Sequence, residues 1–353
     1  MKRMIPFLLL VLVATGIAAA KTVAQSGGCA PSGGLNFICG LQAPEDLVLI
    51  PNTRWLISSG MAAGSGLHLI DTQAKTARGL FGPGTSSRAD KTKFASCPGP
   101  LDAKQANLHG LSLRPAQAGH YALYATNHGG RESIEVFDLD AGGAAPSVTW
   151  IGCVLMPNNW AANSVAVFND GAIVATVLVL PGKTFEDVWA GRNTGVVVMW
   201  TPGSKEFRTL MGTELPGNNG IETSADDREF YVASIGLKRI VAYSRANPAK
   251  PLRFAQLKEI GPDNIRWVGD RLYTAGIIEN EPACGGPPKK PEDIQCPRGW
   301  VVDAIDPKTM AVTEVARGPR AVPYTGTATA IPVGGNLWLS SFNVDRVAYR
   351  PLK

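Results

Sequence analysis

Six dipeptides in this sequence each stand just ahead of an alternating apolar run. They are Glu45-Asp46, His109-Gly110, Asn163-Ser164, Asn219-Gly220, Asp263-Asn264 and Ala328-Thr329. Turn chemistry before a strand asks only for Gly, Asn or Asp, each of which can stand there for structural reasons. Here carboxylates, amides and an imidazole recur at one phase. Glu45, Asn163, Asn219, Asp263 and Asn264 offer oxygen donors and no thiolate. That set suits calcium, whereas softer transition ions recruit imidazole or sulfur. Two carboxylates brought together away from water would be strongly disfavoured without a cation. His109 shares the ligand phase, and His128 ends the following strand, where an antiparallel hairpin returns it to the same end of the sheet. An imidazole pair beside an oxygen-held cation suits general-base chemistry on a polarised carbonyl or phosphoryl group. The other histidines read differently: His68 alternates within GLHLID and is expected to pack in a strand, and His120, beside Gly119, is expected in a solvated loop.

The elements that must position these residues form an internal repeat. PEDLVLIPNTRWLISSG, LHGLSLRP with HYALYATNH, ANSVAVFNDGAIVATV, NNGIETSADDREFYVAS, PDNIRWVGDRLYTAG and ATAIPVGGNLWLSSF each read as strand, turn, strand, with a period of roughly 57 residues. Several repeats continue into a third strand, as in SIEVFDLD, GVVVMWTPG and RIVAYSRAN. That period exceeds one hairpin and fits a four-stranded antiparallel blade plus a variable loop, so the expected architecture is an all-β, six-bladed β-propeller over residues 41–353. The innermost strands of a propeller run along its central channel, which brings the six dipeptides to one mouth. One segment, KTFEDVWAGR from Lys183, places Phe185, Val188 and Trp189 at helical spacing; a short helix packed on the outside of the propeller is expected there, its other reading being one wall of a substrate pocket.

The 353 residues are 45% hydrophobic and 18% charged, with 39 Gly and 26 Pro, which excludes disorder, coiled coils and a mostly helical fold. A net charge of +5, without a basic cluster interleaved with aromatics, gives no footprint for nucleic acid. Residues 1–20, with a basic start, an apolar run and Ala18-Ala19-Ala20, read as a cleaved secretory signal, leaving 21–40 as an N-terminal segment and no stable membrane insertion. The expected location is secreted or periplasmic. All six cysteines follow the signal, and Cys284 with Cys296 brackets a Pro- and Lys-rich stretch that a disulfide would close into a loop; the remaining connectivity is open.

Taken in order, APEDLVLIPNTRWLISSG, LHGLSL, LYATNHGGRESIEVFDLD, MPNNWAANSVAVF, GNNGIETSADDREFYVASIGLKRIVAY and GPDNIRWVGDRLYTAG resemble the motifs of the paraoxonase/arylesterase calcium lactonases over about residues 40–350. More distantly the chain is similar to the gluconolactonase and regucalcin group, whose metal-binding Glu, Asn and Asp correspond to Glu45, Asn219 and Asp263. The resemblance implies one catalytic calcium on Glu45, Asn163, Asn219, Asp263 and Asn264, with His109 as base and His128 as its relay. It also implies a second, structural calcium, for which Asp46 matches one expected carboxylate, but Ser164 stands where the other belongs. The family's disulfide joining the chain ends has no counterpart, since no Cys lies near the C-terminus.

The activity expected is hydrolysis of a small-molecule lactone or aryl ester. The alternatives are a sugar-lactone hydrolase of the gluconolactonase type, in which the His pair is dispensable, and a non-catalytic propeller that binds a ligand or protein over its face.

Overall fold

The computed structural model describes residues 28–321 and 323–352. The signal assigned to residues 1–20 lies outside them, and no helix among the described residues is long and apolar enough to cross a membrane.

The strands form six four-stranded sheets arranged as the blades of a propeller. The innermost strands are Leu47–Leu49, Leu108–Pro115, Ala162–Val167, Asn218–Thr223, Ile265–Val268 and Thr327–Val333. Four begin one residue before their dipeptide, and Leu47–Leu49 and Ile265–Val268 begin just after theirs. Within a blade the middle strands are covered by neighbouring blades on both faces, most completely in blade three. Ile173–Val177 (IVATV) and Val196–Trp200 (VVVMW) of blade three are wholly buried. The outermost strand of blade one, Thr76–Phe81, faces water and reads TARGLF. Large indoles fill the space between blades: Trp150, Trp200, Trp300 and Trp338 are all buried.

The sixth blade departs from the expected boundary. Its outermost strand is Asn36–Cys39, with Asn36 opposite Tyr349 and Cys39 opposite Arg346. Part of the segment assigned to an N-terminal extension is therefore a propeller strand.

Cys284–Cys296 is disulfide-bonded as expected, and two further bonds are present, Cys29–Cys39 and Cys97–Cys153. The first lies beside the closing strand. The second ties the long connection from blade one to blade two onto the outer strand Ser147–Leu155.

Candidate active site

Four of the innermost strands carry an irregularity at the residues of interest. Leu108 pairs with Asn127 and Leu111 with Ala125, so His109 and Gly110 together oppose Thr126 alone. The same two-against-one count places Asn163-Ser164 opposite Thr176, Asn219-Gly220 opposite Ala233, and Ala328-Thr329 opposite Ser340. A bulge re-aims the side chain it displaces, and here it turns the first residue of each pair toward the mouth of the channel. Glycine follows two of these because the neighbouring blade is too close for a side chain. A Cβ on Gly110 would lie 2.6 Å from the Asn163 carbonyl oxygen, and one on Gly220 would lie 2.4 Å from that of Asp263.

The hydroxyls opposite the bulges knit the blades into a ring. Thr126 accepts from the Gly110 amide and donates to the Asn163 carbonyl; Thr176 accepts from the Ser164 amide and donates to the Asn219 carbonyl. The Gly220 amide donates to the Asp263 carbonyl and the Asn264 amide to that of Ala328. Ser340 donates to the Glu45 carbonyl, and the Leu111 amide donates to Asp46 Oδ2 to close the circuit. The Ser or Thr on the second strand was a second periodic signal in the sequence, present in SSG, ATN, ATV, TAG and SSF, that could have fixed the phase independently.

At the mouth, the side chains of Glu45, Asn163, Asn219, Asp263, Asn264 and His109 line one cavity or abut it. Asn264 Nδ2 donates to Glu45 Oε1 at 2.7 Å, and the Asn219 side chain hydrogen-bonds Asp263. With the nitrogens turned to the carboxylates, Glu45 Oε2, Asn163 Oδ1, Asn219 Oδ1 and Asn264 Oδ1 are buried without any hydrogen-bond partner. Burial raises the Glu45 carboxyl well above its usual range, and the Asp46 charge adds to this; burial likewise raises Asp263, with Glu45 and Asp46 adding.

The histidines extend the pattern. His128 Nδ1 lies 2.8 Å from Glu132 Oε2, so the carboxylate fixes the proton on Nδ1. His128 Nε2 is then an acceptor, and His109 Nδ1, 3.1 Å away, donates to it. His109 Nε2 is left with a bare lone pair, 3.4 Å from Glu45 Oε2. Burial pushes the His109 imidazole down to about 4, with the charges of Asp46 and Glu132 opposing the shift, so the ring is neutral at pH 7. Lone pairs of one nitrogen and four oxygens thus face a common space with no donor among them. Acceptors gathered in this way could hold a cation. Among the described residues no group of three or more His, Cys, Asp or Glu side chains is placed to hold a metal ion by itself. The donor set is carried largely by amides, and it fits calcium better than zinc. Glu132 was not singled out from sequence because its place after His128 is not repeated in other blades.

Above this floor lies a cavity of about 200 Å³ with largely apolar walls, among them Met61, Leu178, Phe185, Trp189, Ile277 and Phe342. Its hood consists of two elements. Helix α1, Phe185–Trp189, starts at a capping box between Thr184 and Asp187, buries Val188, and turns both aromatic rings to the cavity. The expectation that this helix only packs on the outside is therefore corrected: the residues at its exposed spacing are pocket wall. The second element is the loop closed by Cys284–Cys296, which brings Pro288 and Ile294 over the cavity. Arg298 straps it down by donating to the carbonyls of Glu279, Gly286 and Asp293.

The remaining histidines lie away from the mouth. His68 sits within the strand Leu67–Asp71, as expected. His120 is not free in solvent; it begins the strand His120–Asn127 and its Nδ1 lies 2.9 Å from Asp138 Oδ1.

No family model matches this sequence, and no curated protein matches it significantly. Solved structures match over nearly their whole length. A luciferin-regenerating enzyme shares 12% identity, covering 91% of this chain and 99% of its own, with a TM-score of 0.52. A catalytically inactive virginiamycin B lyase from Staphylococcus aureus, solved with quinupristin, shares 12% identity over 90% and 99%, with a TM-score of 0.50. An aldose sugar dehydrogenase from Streptomyces coelicolor shares 15% over 91% and 99%, with a TM-score of 0.49. At these identities the likeness to the first two shows the fold alone, a six-bladed propeller, and leaves the chemistry to the residues at the mouth.

Proposed function

We propose that the protein is an exported, calcium-dependent hydrolase of lactones and aryl esters that carry apolar substituents. The observation that carries this reading is the set of five unanswered lone pairs, on Glu45, Asn163, Asn219, Asn264 and His109 Nε2, at the floor of an apolar cavity. When bound there, calcium would supply positive charge against a substrate carbonyl and the oxyanion that develops from it. Glu45, Asn163, Asn219, Asp263 and Asn264 would hold it. His109 takes a proton at Nε2 from the attacking water, and its Nδ1–H bond to His128 keeps that lone pair aimed into the site. His128 and Glu132 hold the tautomer and share the positive charge that arises when His109 is protonated. Phe185, Trp189 and Phe342 exclude bulk water and accept the apolar part of the substrate. Three disulfides suit an oxidising compartment, in keeping with export.

The apolar walls also separate this reading from the sugar-lactone alternative, since a polyhydroxylated ring would lose its hydration to Leu, Ile and Phe side chains without matching hydrogen bonds. The test is a hydrolysis panel of alkyl-substituted γ- and δ-lactones, sugar lactones and aryl acetates, run on calcium-loaded and chelator-treated protein. Turnover of the alkyl lactones that disappears on chelation and returns with calcium is expected. A preference for sugar lactones would move the assignment to the gluconolactonase type, and inactivity on every ester would favour a binding propeller.

A further inference from the structure

A second oxygen-lined position exists on the axis, between the catalytic floor and the far mouth, and a side chain already fills it. Asp46 is fully buried, and every acceptor it has is answered. Oδ1 accepts from the Leu47 amide at 2.7 Å and from Thr329 Oγ1 at 2.8 Å, and Oδ2 accepts from the Leu111 amide at 2.7 Å and from Arg266 Nη2. The guanidinium of Arg266 in turn donates from Nε to the Leu47 carbonyl at 3.0 Å, from Nη1 to the Ile265 carbonyl at 2.7 Å and from Nη2 to the Leu111 carbonyl at 2.9 Å. One carboxylate and three carbonyl oxygens from blades one, two and five therefore converge on a fixed positive charge that is 6% exposed. These are hard oxygens of the kind that coordinate calcium. Ser164 on the neighbouring blade three brings no charge to the axis, only a buried hydroxyl whose oxygen has no hydrogen-bond partner. A second divalent ion does not fit here, because it would meet a guanidinium of its own sign in its own coordination shell.

We infer that Arg266 is a built-in cation that replaces a second, structural metal ion, joining three blades at the axis and limiting the protein to one calcium. The limit of one deepens the calcium reading above and rests on it; the clamping of the blades by Arg266 does not.

The experiment uses the full chain, stripped of metal. Calcium stoichiometry is read by titration calorimetry, and melting is followed in chelator, for the wild type, Arg266→Ser, Arg266→Lys and the double variant Asp46→Asn/Arg266→Met. The wild type is expected to bind one equivalent. Arg266→Ser is expected to melt about 5–10 °C lower in chelator, as for a buried pair that loses one partner, and to bind a second equivalent of calcium that recovers most of the loss. The double variant should melt above Arg266→Ser in chelator, because no unpaired charge remains. If Arg266→Ser does not fold, Arg266→Lys, which keeps the charge with fewer donors, should melt below the wild type in chelator and still bind one ion. Two equivalents in the wild type would overturn the inference. So would Arg266→Ser or Arg266→Lys melting with the wild type in chelator, or Arg266→Ser recovering nothing on calcium addition. Zero equivalents in the wild type would refute the catalytic calcium while the melting series still decides the role of Arg266.

Discussion

Glu45 and Asp46 are adjacent in the chain and both withdrawn from water, but they serve two levels of the channel that are built on opposite principles. Around Asp46 each acceptor has a donor, and a guanidinium supplies the positive charge. Around Glu45 acceptors face acceptors. Burial cost alone would select the first arrangement everywhere, since an unanswered polar atom costs on the order of 1–3 kcal/mol. The second arrangement makes sense only where something from outside completes it. The lower level holds the ring together, and the upper level, under the function proposed above, is completed by a bound cation.

Metal removal gives the largest test of that contrast. A cation bound only by the folded state at about a thousand times its Kd contributes about 4 kcal/mol, so chelation should lower the melting temperature by several degrees and abolish esterase activity. A calcium titration of stripped protein that leaves the melting temperature unmoved would break the comparison, because the upper level would then be stable as it stands.

The next effect in size concerns the base. His109→Gln should lower lactone turnover by about 10²-fold while calcium affinity stays near that of the wild type. Full turnover in this variant would show that His109 is dispensable and move the assignment to the gluconolactonase type. His128→Gln and Glu132→Gln should cost less, about tenfold each, because they orient His109 without touching substrate; rates measured at saturating calcium would check that order.

The smallest effect comes from another buried carboxylate, outside both levels. Asp303 in blade five is pushed up to about 6 by burial, with Glu314 adding. Its folded form holds a proton more tightly than the unfolded chain, so its burden on stability is absent below about pH 4, grows as pH rises from there to 6, and is full above. Asp303→Asn should therefore stabilise the protein by about 2 kcal/mol at pH 7 and change nothing at pH 3.5, as read from urea unfolding at the two pH values. An equal gain at both would mean that the asparagine acts through packing.

What could be read in advance followed periodicity. The propeller and the convergence of Glu45, Asn163, Asn219, Asp263 and Asn264 at one mouth were legible because six similar strands repeat one phase. Glu132 and Arg266 were not, since each occurs in a single blade; within IRWV the arginine looks like the solvent-facing member of an alternating strand, although it points into the axis. The hood was misjudged for a related reason. Phe185 and Trp189 show helical spacing, but spacing cannot say whether a helix covers a core or a cavity. Only the placement of α1 beside the loop closed by Cys284 and Cys296 decides it.

The closing blade imposes an order on assembly. Its three inner strands come from 327–351 and its fourth from 36–39, so one sheet awaits residues made early and residues made much later. Blades one to five can each form from local hairpins as the chain emerges, whereas the sixth is a long-range contact with a large loop-closure entropy and a slow formation rate. Until it forms, the edges of Asn36–Cys39 and of the late strand it pairs with are open to other molecules, and the Cys29–Cys39 bond, which closes a loop within the early segment alone, does not tether that segment to the other blades. The molecule is thus vulnerable to aggregation during the interval before Thr327–Val333 and the strands after it are in place.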